Sequence, residues 1–475
     1  MIISITCQAL MGLMSLSYAI ATSAPLLEPA PGKHAEASLK PRMVVLSDIA
    51  ALDVEPDDTQ SLIHLFASAD VFQIDGIIAT TGWSQNETTP LQTHYIDNAI
   101  DAYEIDVPNM MKRSGQTGFL PDETIQAVGY WPSPNYLRSV VRVGQPIRGM
   151  GGVGDDRCTN GSQHIIDVVD MDDMRPVWVD FWGSGNTLAQ AIWDVRRTRT
   201  AAQLDEFLAK IRVYAVTDQD RGNDGEGYAN SAQFWMRKTF KLFYIWAESA
   251  WLTYAYEIKF MYWSTYQSLI QGRGALGSLY PTYKYAVEGD SPSWLHLWPG
   301  LNDPNSPSQA GFGGRFIYGT GPDNQTQAFV DNLGVAANQS SAAINNTLVD
   351  QINDFVARID WATNGTGNRN PKLAVAGNNG YETLVVEVAP SETVILSAVG
   401  SSDPDGNTIK YSWTQDSGVG YTNMVPVEGS ASEVAAVQVP AAAAGKDIHI
   451  VLRGVDDGSP PLASYRRIIL RVTLK

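Results

Sequence analysis

The stretch Met43–Phe66, MVVLSDIAALDVEPDDTQSLIHLF, constrains this chain more than any other. It opens on an apolar run the length of one buried strand and breaks into a loop carrying Asp48, Asp53, Glu55, Asp57 and Asp58. It then resumes at Thr59 with Leu62, Ile63 and Phe66 at helical spacing. A strand that runs through carboxylates into a helix is an opening unit of an α/β sheet, where ligands bind beyond the carboxyl ends of the strands. Carboxylates crowded at such an edge repel one another unless a cation or a shared proton joins them. The same residues also suit a plain helix start, with Pro56 in the first turn and Asp57 and Asp58 complementing the helix dipole. Both readings stand on this segment alone.

The following segments repeat the pattern. Val71–Ala79 reads as a second short strand, ending at Thr80, Thr81, Gly82 and Trp83; Leu91–Tyr103 and part of Thr124–Val143 have helical spacing. Arg175–Phe181 is a third buried strand, running into Trp182-Gly183-Ser184-Gly185-Asn186-Thr187 before a helix over Leu188–Arg197. Glycines between strand and helix allow close backbone approach to a ligand, but the Lys-Ser/Thr ending of a phosphate loop is missing. Lys210–Val216 makes a further strand ending at Thr217, Asp218, Gln219 and Asp220. Polar residues recurring at strand ends predict an α/β fold, a mostly parallel sheet with helices on both faces and one active edge. Phe240–Tyr266 is dense in Trp and Tyr, which suits packed core or a wall for stacking flat sugar or base rings. Glu288-Gly289-Asp290-Ser291-Pro292 sets another acid, Asp290, before an apolar helical run.

Past Trp361 the composition shifts. Ala362–Pro371, ATNGTGNRNP, reads as a linker, and short strands over Leu384–Val388, Val394–Ala398, Ile409–Trp413, Ala435–Val439, Ile448–Val451 and Arg467–Val472 predict a C-terminal β-sandwich. Asp403 and Asp405 read as turn residues. The expected organisation is a signal peptide over 1–24, a linker over 25–40, a first domain over 41–361, a linker over 362–371 and the sandwich over 372–475. The leader ends in small residues at Ala19, Ala21 and Ala24, so the protein is expected to be secreted and extracellular. Cleavage would remove Cys7 and leave Cys158 alone, without an internal disulfide. Glycosylation acceptors at Asn86, Asn160, Asn324, Asn338, Asn345 and Asn364 fit an exported glycoprotein. A net charge of −18 opposes binding to nucleic-acid strands and anionic membranes, and leaves small neutral ligands and sugars open. Oligomeric state is not legible in the sequence.

If Asp48 or Asp53 converges with Asp57, Asp58 and Asp290, their hard oxygens favour calcium or magnesium over zinc. Such a site suits hydrolysis of a glycosyl bond: the cation orients a sugar diol and a water, and one carboxylate takes the water's proton. It suits a non-catalytic calcium-dependent sugar site nearly as well.

The segments VVLSDI, EPDDTQSL and IDGIIATTGW resemble the nucleoside-hydrolase fold, whose members bind calcium at an acidic cluster on the first strand. More closely, EPDDTQSL, PVWVDFWGSGNTLAQAI, IRVYAVTDQD, LFYI, YPTYKYAVEGDSPSWLHL and NDFVARIDW are similar to a secreted family often labelled cellulose-binding, with a nucleoside-hydrolase-like domain and a C-terminal immunoglobulin-like domain. The likeness covers most of Pro41–Trp361 and continues into the sandwich. It implies that Asp48 is base and metal ligand, Asp58 a metal ligand, and Asp57 a catalytic and sugar-hydroxyl contact. Asn186 and Thr187 match the loop that gives calcium a backbone carbonyl, with Thr187 placed in the metal set and Asn186 facing substrate. Asp290 resembles the ligand of a His-Asp-Pro segment. Thr81, Trp83, Asp218 and Asp220 complete the expected substrate contacts.

The sequence departs from the family pattern at three places. Gly289 stands where nucleoside hydrolases have the His, which argues against nucleobase protonation. Gly334–Asn346 lacks the Asn/His- and Trp/Arg-rich composition of the family. Ala50–Asp53 lengthens the acidic loop, so that Asp53 has the Asp-x-x-x-Asp-Asp spacing while Asp48 has the position after the strand. Asp48 is preferred, because a strand end fixes a carboxylate better than a loop does. The expected function is secreted hydrolysis of N- or O-glycosyl bonds of a sugar, nucleoside-like glycoside or polysaccharide, with a carbohydrate-binding protein on the same scaffold as the alternative.

Overall fold

The computed structural model describes residues 38–83, 90–221, 227–332 and 334–474. The expected signal peptide, most of the 25–40 linker, Cys7 and the acceptor Asn86 lie outside the described residues.

The first domain is organised on one eight-stranded sheet of β1 (Arg42–Ser47), β2 (Gln73–Ala79), β3 (Val141–Val143), β4 (Val177–Phe181), β5 (Ile211–Val216), β6 (Phe243–Ala247), β7 (Ile317–Thr320) and β8 (Gln327–Val330). The order is β3-β2-β1-β4-β5-β6-β8-β7, and every pairing is parallel except β7 with β8. All six residues of β1 are buried because helices cover both faces of the sheet. Met43 and Val45 point into a core shared with the helices Pro56–Ala67, Thr93–Ser114 and Gly334–Asn364. Val44 and Leu46 point the other way, toward the helices Asn160–Asp170 and Asn186–Thr198. Strand order reverses between β1 and β4, which opens a crevice beyond their carboxyl ends.

Several element bounds differ from the sequence reading. Strands β2 and β4 each begin two residues later than expected, and the helix expected over 91–103 extends to Ser114 through Pro108, closing on Gly115 at φ +83. The aromatic-rich segment becomes β6 and then helical turns through Leu269. Tyr244, Trp246, Tyr254 and Tyr266 lie in the core, whereas Phe260 and Met261 face outward. At the domain boundary the long helix Gly334–Asn364 overruns Trp361, and the next residues are held tightly. Asn368 donates to Asp456 Oδ1 at 2.8 Å, and Trp361 Nε1 donates to Asn368 O at 2.7 Å.

Beyond it, β9 (Leu384–Val388), β10 (Thr393–Ser397), β11 (Lys410–Gln415), β12 (Val427–Glu428), β13 (Val434–Gln438), β14 (Asp447–Val455) and β15 (Ala463–Val472) form two sheets, β10-β13-β12 and β11-β14-β15-β9, around a common core. The two-residue β12 has no counterpart in the sequence reading. Asp403 serves the expected turn, accepting from the backbone N–H groups of Asp405 and Asn407. Ion pairs close the seam between the domains: Asp416 binds both Arg315 and Arg467 in buried pairs, and Asp350 binds the partly exposed Arg453. Among the described residues no helix is long and apolar enough to cross a membrane.

Candidate active site at the acidic sheet edge

Asp48 follows β1 directly and is 2% exposed. Two strand-end glycines flank it. A Cβ on Gly82 would overlap the Asp48 carboxylate, and one on Gly183 would lie 2.8 Å from Asp48 Cβ and Cγ, so glycine at both positions is what admits this side chain. The loops after β1, β2 and β4 are laced together: Trp182 N and Gly183 N donate to Leu46 O at 2.9 and 3.1 Å, and Ser184 N donates to Thr81 O at 2.8 Å.

The helix Pro56–Ala67 brings Asp57 and Asp58 in its first turn, with Pro56 at its start as the sequence implied. Ser47 Oγ donates to Asp58 and ties that turn back to the end of β1. The lengthened segment folds outward, because Val54 N and Glu55 N both donate to Ala51 O, at 2.7 and 3.0 Å. Asp53 is consequently exposed while Asp48 stays against the paired acids. Asp290 enters from the far side, just before the short helix Ser291–Leu295. Its neighbour Gly289 packs against the acids, with its Cβ position 3.3 Å from Asp57 Oδ2 and 3.6 Å from the Trp251 ring.

The mutual influence of these groups shows their convergence. Burial, then the Asp57 charge, pushes the Asp48 carboxyl up to about 8. Burial and the charges of Asp57 and Asp48 push Glu55 up to about 11. Asp57 is raised chiefly by burial, and Asp58 by burial and then the charges of Asp48 and Asp57. Asp290 is raised by burial and then by Asp58, Asp57, Asp48 and Glu55 in turn. Oxygens of Glu55, Asp57 and Asp58 lie within 4.8 Å of one another, and two further buried oxygens, Asp57 Oδ1 and Asp290 Oδ2, accept no hydrogen bond. An all-carboxylate donor set with unpartnered buried oxygens fits a hard cation such as calcium. Glu55, Asp57 and Asp58 lie close enough together to hold it, with Asp48 and Asp290 beside them in the same cluster.

Two functional residues escaped the sequence reading. Glu55 was noted only as a member of the acidic loop, although its position two before Asp57 was visible. Glu288, fully buried at φ +51, is held by Tyr280 OH at 2.7 Å, Tyr254 OH at 3.1 Å, Ser291 Oγ at 2.9 Å and His64 Nδ1 at 2.8 Å. Its N–H donates to Gln60 Oε1 at 3.0 Å, which fastens the Asp290 segment to the Asp58 helix. Nothing in the spacing of His64 announces that partnership.

The remaining expected contacts sit around the acids rather than among them. Asn186 Nδ2 donates to Ile147 O at 2.6 Å while its Oδ1 accepts from Thr80 Oγ1 at 3.1 Å, and the Thr187 hydroxyl accepts from Gln145 N at 3.0 Å. Thr81 is buried, and its carbonyl takes the Ser184 N–H. Half-buried Trp83 lies under the Arg221 guanidinium, 5.0 Å from its ring centroid. Asp218 pairs with Arg237 at 2.9 Å and accepts Ser231 Oγ, while Asp220 accepts Ser184 Oγ and the N–H groups of Gly149, Gly185 and Gln233. These bonds give Asn186, Asp218 and Asp220 the role of holding the sheet-edge loops in place.

Comparison with known proteins agrees with this fold. The profile described as cellulose-binding Sde182, nucleoside hydrolase-like domain, matches residues 42–316, and that of cellulose-binding protein Sde0182, C-terminal domain, matches residues 393–472. Among solved structures, a nucleoside hydrolase-related hypothetical protein from Saccharophagus degradans, described as associated with carbohydrate metabolism, is similar at 36% identity and a TM-score of 0.79. The match covers 91% of this chain and 100% of that one. A PKD domain from the KIAA 1837 protein aligns at 22% identity over 19% of this chain and 78% of its own, with a TM-score of 0.15 that supports no argument. No curated protein matches the chain.

Proposed function

The chain belongs to the cellulose-binding Sde182 family with a nucleoside hydrolase-like domain, and from that premise we propose that it is a secreted, calcium-assisted hydrolase of N- or O-glycosyl bonds. The observation that carries this reading is the pair of unpartnered buried oxygens, Asp57 Oδ1 and Asp290 Oδ2, within a five-carboxylate cluster at the sheet edge. Calcium, when bound, supplies the positive charge that lets these acids ionise together and makes a water more acidic. Asp48, clamped between Gly82 and Gly183, takes the proton of the attacking water. Asp57 accepts a hydrogen bond from a sugar hydroxyl. Asp58, anchored by Ser47, and Asp290, anchored through the Glu288 network, keep negative charge beside the anomeric carbon, where an oxocarbenium-like transition state develops. Gly289 supplies no acid to a nucleobase, so a sugar-leaving substrate is favoured over a true nucleoside.

The test is a turnover screen of the protein on nucleosides, aryl glycosides and polysaccharides, with calcium and with chelator. Asp57→Asn and Asp58→Asn are each expected to lose about 10²–10³-fold in turnover while remaining folded. Full turnover in both variants removes the site, and turnover indifferent to chelator removes the cation. The family description favours a second reading, a non-catalytic carbohydrate-binding protein, which predicts retention on an insoluble glycan without release of reducing ends.

A further inference from the structure

At the opposite end of the sheet from the acids, where β1 and β4 begin, the first domain and the sandwich enclose a cleft of about 730 Å³. Its volume lies within the range of roughly 300–1,000 Å³ typical of small-molecule sites, which favour domain seams. One wall is a sheet face of the sandwich: Val385, Ile469 and His449 lie side by side across β9, β15 and β14, with Asp447 beside Arg471 in the next row. The other wall is formed by Pro41, Arg175 and Pro176 at the strand entries and by the loop through Asn302 to Gln309.

The chemistry of the walls selects the occupant. Cationic groups at the cleft are already engaged. Arg42 binds Asp75 at 2.6 Å, Arg175 binds Asp173, Lys40 donates to Gln126 and the Ala69 carbonyl at 2.7 Å each, and Arg471 faces Asp447 at 3.3 Å. An anionic ligand would therefore compete with a carboxylate for each of the three arginines and with two oxygen acceptors for buried Lys40, on a chain whose net charge is −18. The remaining polar lining is acidic at Asp303 and Glu382, which further disfavours an anion, and otherwise neutral: the amides of Asn305 and Gln309 and the hydroxyls of Ser306, Ser308 and Thr383. Beside them Tyr381 and Val385 leave apolar surface open, at 42% and 49% exposure. An aromatic face next to amides and hydroxyls matches a sugar ring, whose C–H face is apolar and whose rim is hydroxylated.

We propose that this seam cleft is a binding site for a neutral polysaccharide chain, separate from the acidic edge. The length of β1, six residues at about 3.3 Å each, places the two sites roughly 20 Å apart, so one sugar unit cannot occupy both. Glycan binding at the seam consequently needs neither the carboxylate cluster nor calcium, and it does not rest on the hydrolase reading.

The experiment uses the full chain, with retention on microcrystalline cellulose and calorimetric titration with cellohexaose, each in calcium and in chelator. Binding is expected in both media. Tyr381→Ala and Asn305→Ala should each weaken cellohexaose binding about tenfold, and Tyr381→Phe should keep it, because the ring face rather than the hydroxyl makes the contact. Thermal unfolding checks that the variants fold, and exposed Asn305 serves as the mild substitution. Three results overturn the proposal: no binding by the wild-type chain, wild-type affinity in both alanine variants, or binding abolished by chelator, which would move the glycan to the acidic edge. Hydrolysis is read separately from reducing-end release, so either idea can fail alone.

Discussion

Replacing Gly82 by alanine tests the acidic edge through geometry. The new methyl would overlap Asp48 Oδ2 and Cγ and stand 2.8 Å from Asp48 Cβ, whereas non-bonded carbons rest about 3.5–4.0 Å apart. Rotating the carboxylate does not clear Cβ, and on the other side the Gly183 backbone lies so close that even a single added Cβ there would stand 2.8 Å from the same side chain. Asp48 has to move by on the order of 1–2 Å, far beyond the roughly 0.2 Å tolerance of a metal–ligand distance. Overpacking of this kind costs about 1–3 kcal/mol. Taking unfolding entropy of about 2.1 cal/mol/K per residue over roughly 300 residues, that cost becomes about 2–5 °C in Tm. On the same scale, calcium at a hundred times its Kd adds about 2.7 kcal/mol, or about 4 °C. Scanning calorimetry with calcium and with chelator separates the two effects. The wild-type protein should gain the calcium increment, and Gly82→Ala should lose 2–5 °C in chelator (the overpacking range above) and gain nothing from calcium. A variant that keeps the whole increment refutes the assignment of Asp48 to the cation site.

Asp53→Asn should leave the calcium increment intact and Asp48→Asn should remove it, since Asp53 is exposed on the outward turn; the reverse result would put the spacing argument ahead of the strand-end argument. The increment should also depend on pH. The Asp48 carboxyl moves from 3.8 to about 8 on folding, so without calcium stability is full below pH 4 and falls as pH rises toward 8. The cost for this group reaches on the order of 5 kcal/mol. The gap between Tm in calcium and in chelator should therefore widen from pH 5 to pH 8, and a constant gap contradicts the burial of the cluster. At the seam, Asp416→Ala strands the buried Arg315 and Arg467, which should cost about 3–5 kcal/mol in urea unfolding. A loss below about 1 kcal/mol would mean that the arginines find water or other partners.

Much of the architecture could be read from residue order. Hydrophobic runs the length of buried strands, alternating with helical spacing and ending in polar residues, imply a parallel sheet with a ligand edge, and β1, β2, β4 and β5 lie close to where that pattern puts them. Element ends were less legible. The helical spacing read over Leu91–Tyr103 stopped short of a helix that tertiary packing carries through Pro108 to Ser114, and the linker composition after Trp361 concealed a helix end and the Asn368 hydrogen bonds. Periodicity reports which face of an element is apolar, whereas the extent of an element depends on the partner it packs against.

The site divides in the same way. Local order alone supplies Asp57 and Asp58 on a helix start and Asp48 after a strand, because the peptide backbone places neighbouring residues at known spacings. It offers two acids, Asp48 and Asp53, for one role. The choice between them falls to the turn at Ala51, which sends Asp53 outward, and to Gly82 and Gly183, which leave room for Asp48. Asp290 joins the cluster across more than two hundred residues through Glu288, Gln60 and His64. Asp218 and Asp220 looked like substrate contacts for the same local reason, being acids at a strand end. Tertiary packing gives them Arg237, Ser184 and backbone N–H groups instead. A carboxylate's neighbours across the fold set its charge and its freedom, and those neighbours are brought together by sheet order and burial rather than by position along the chain.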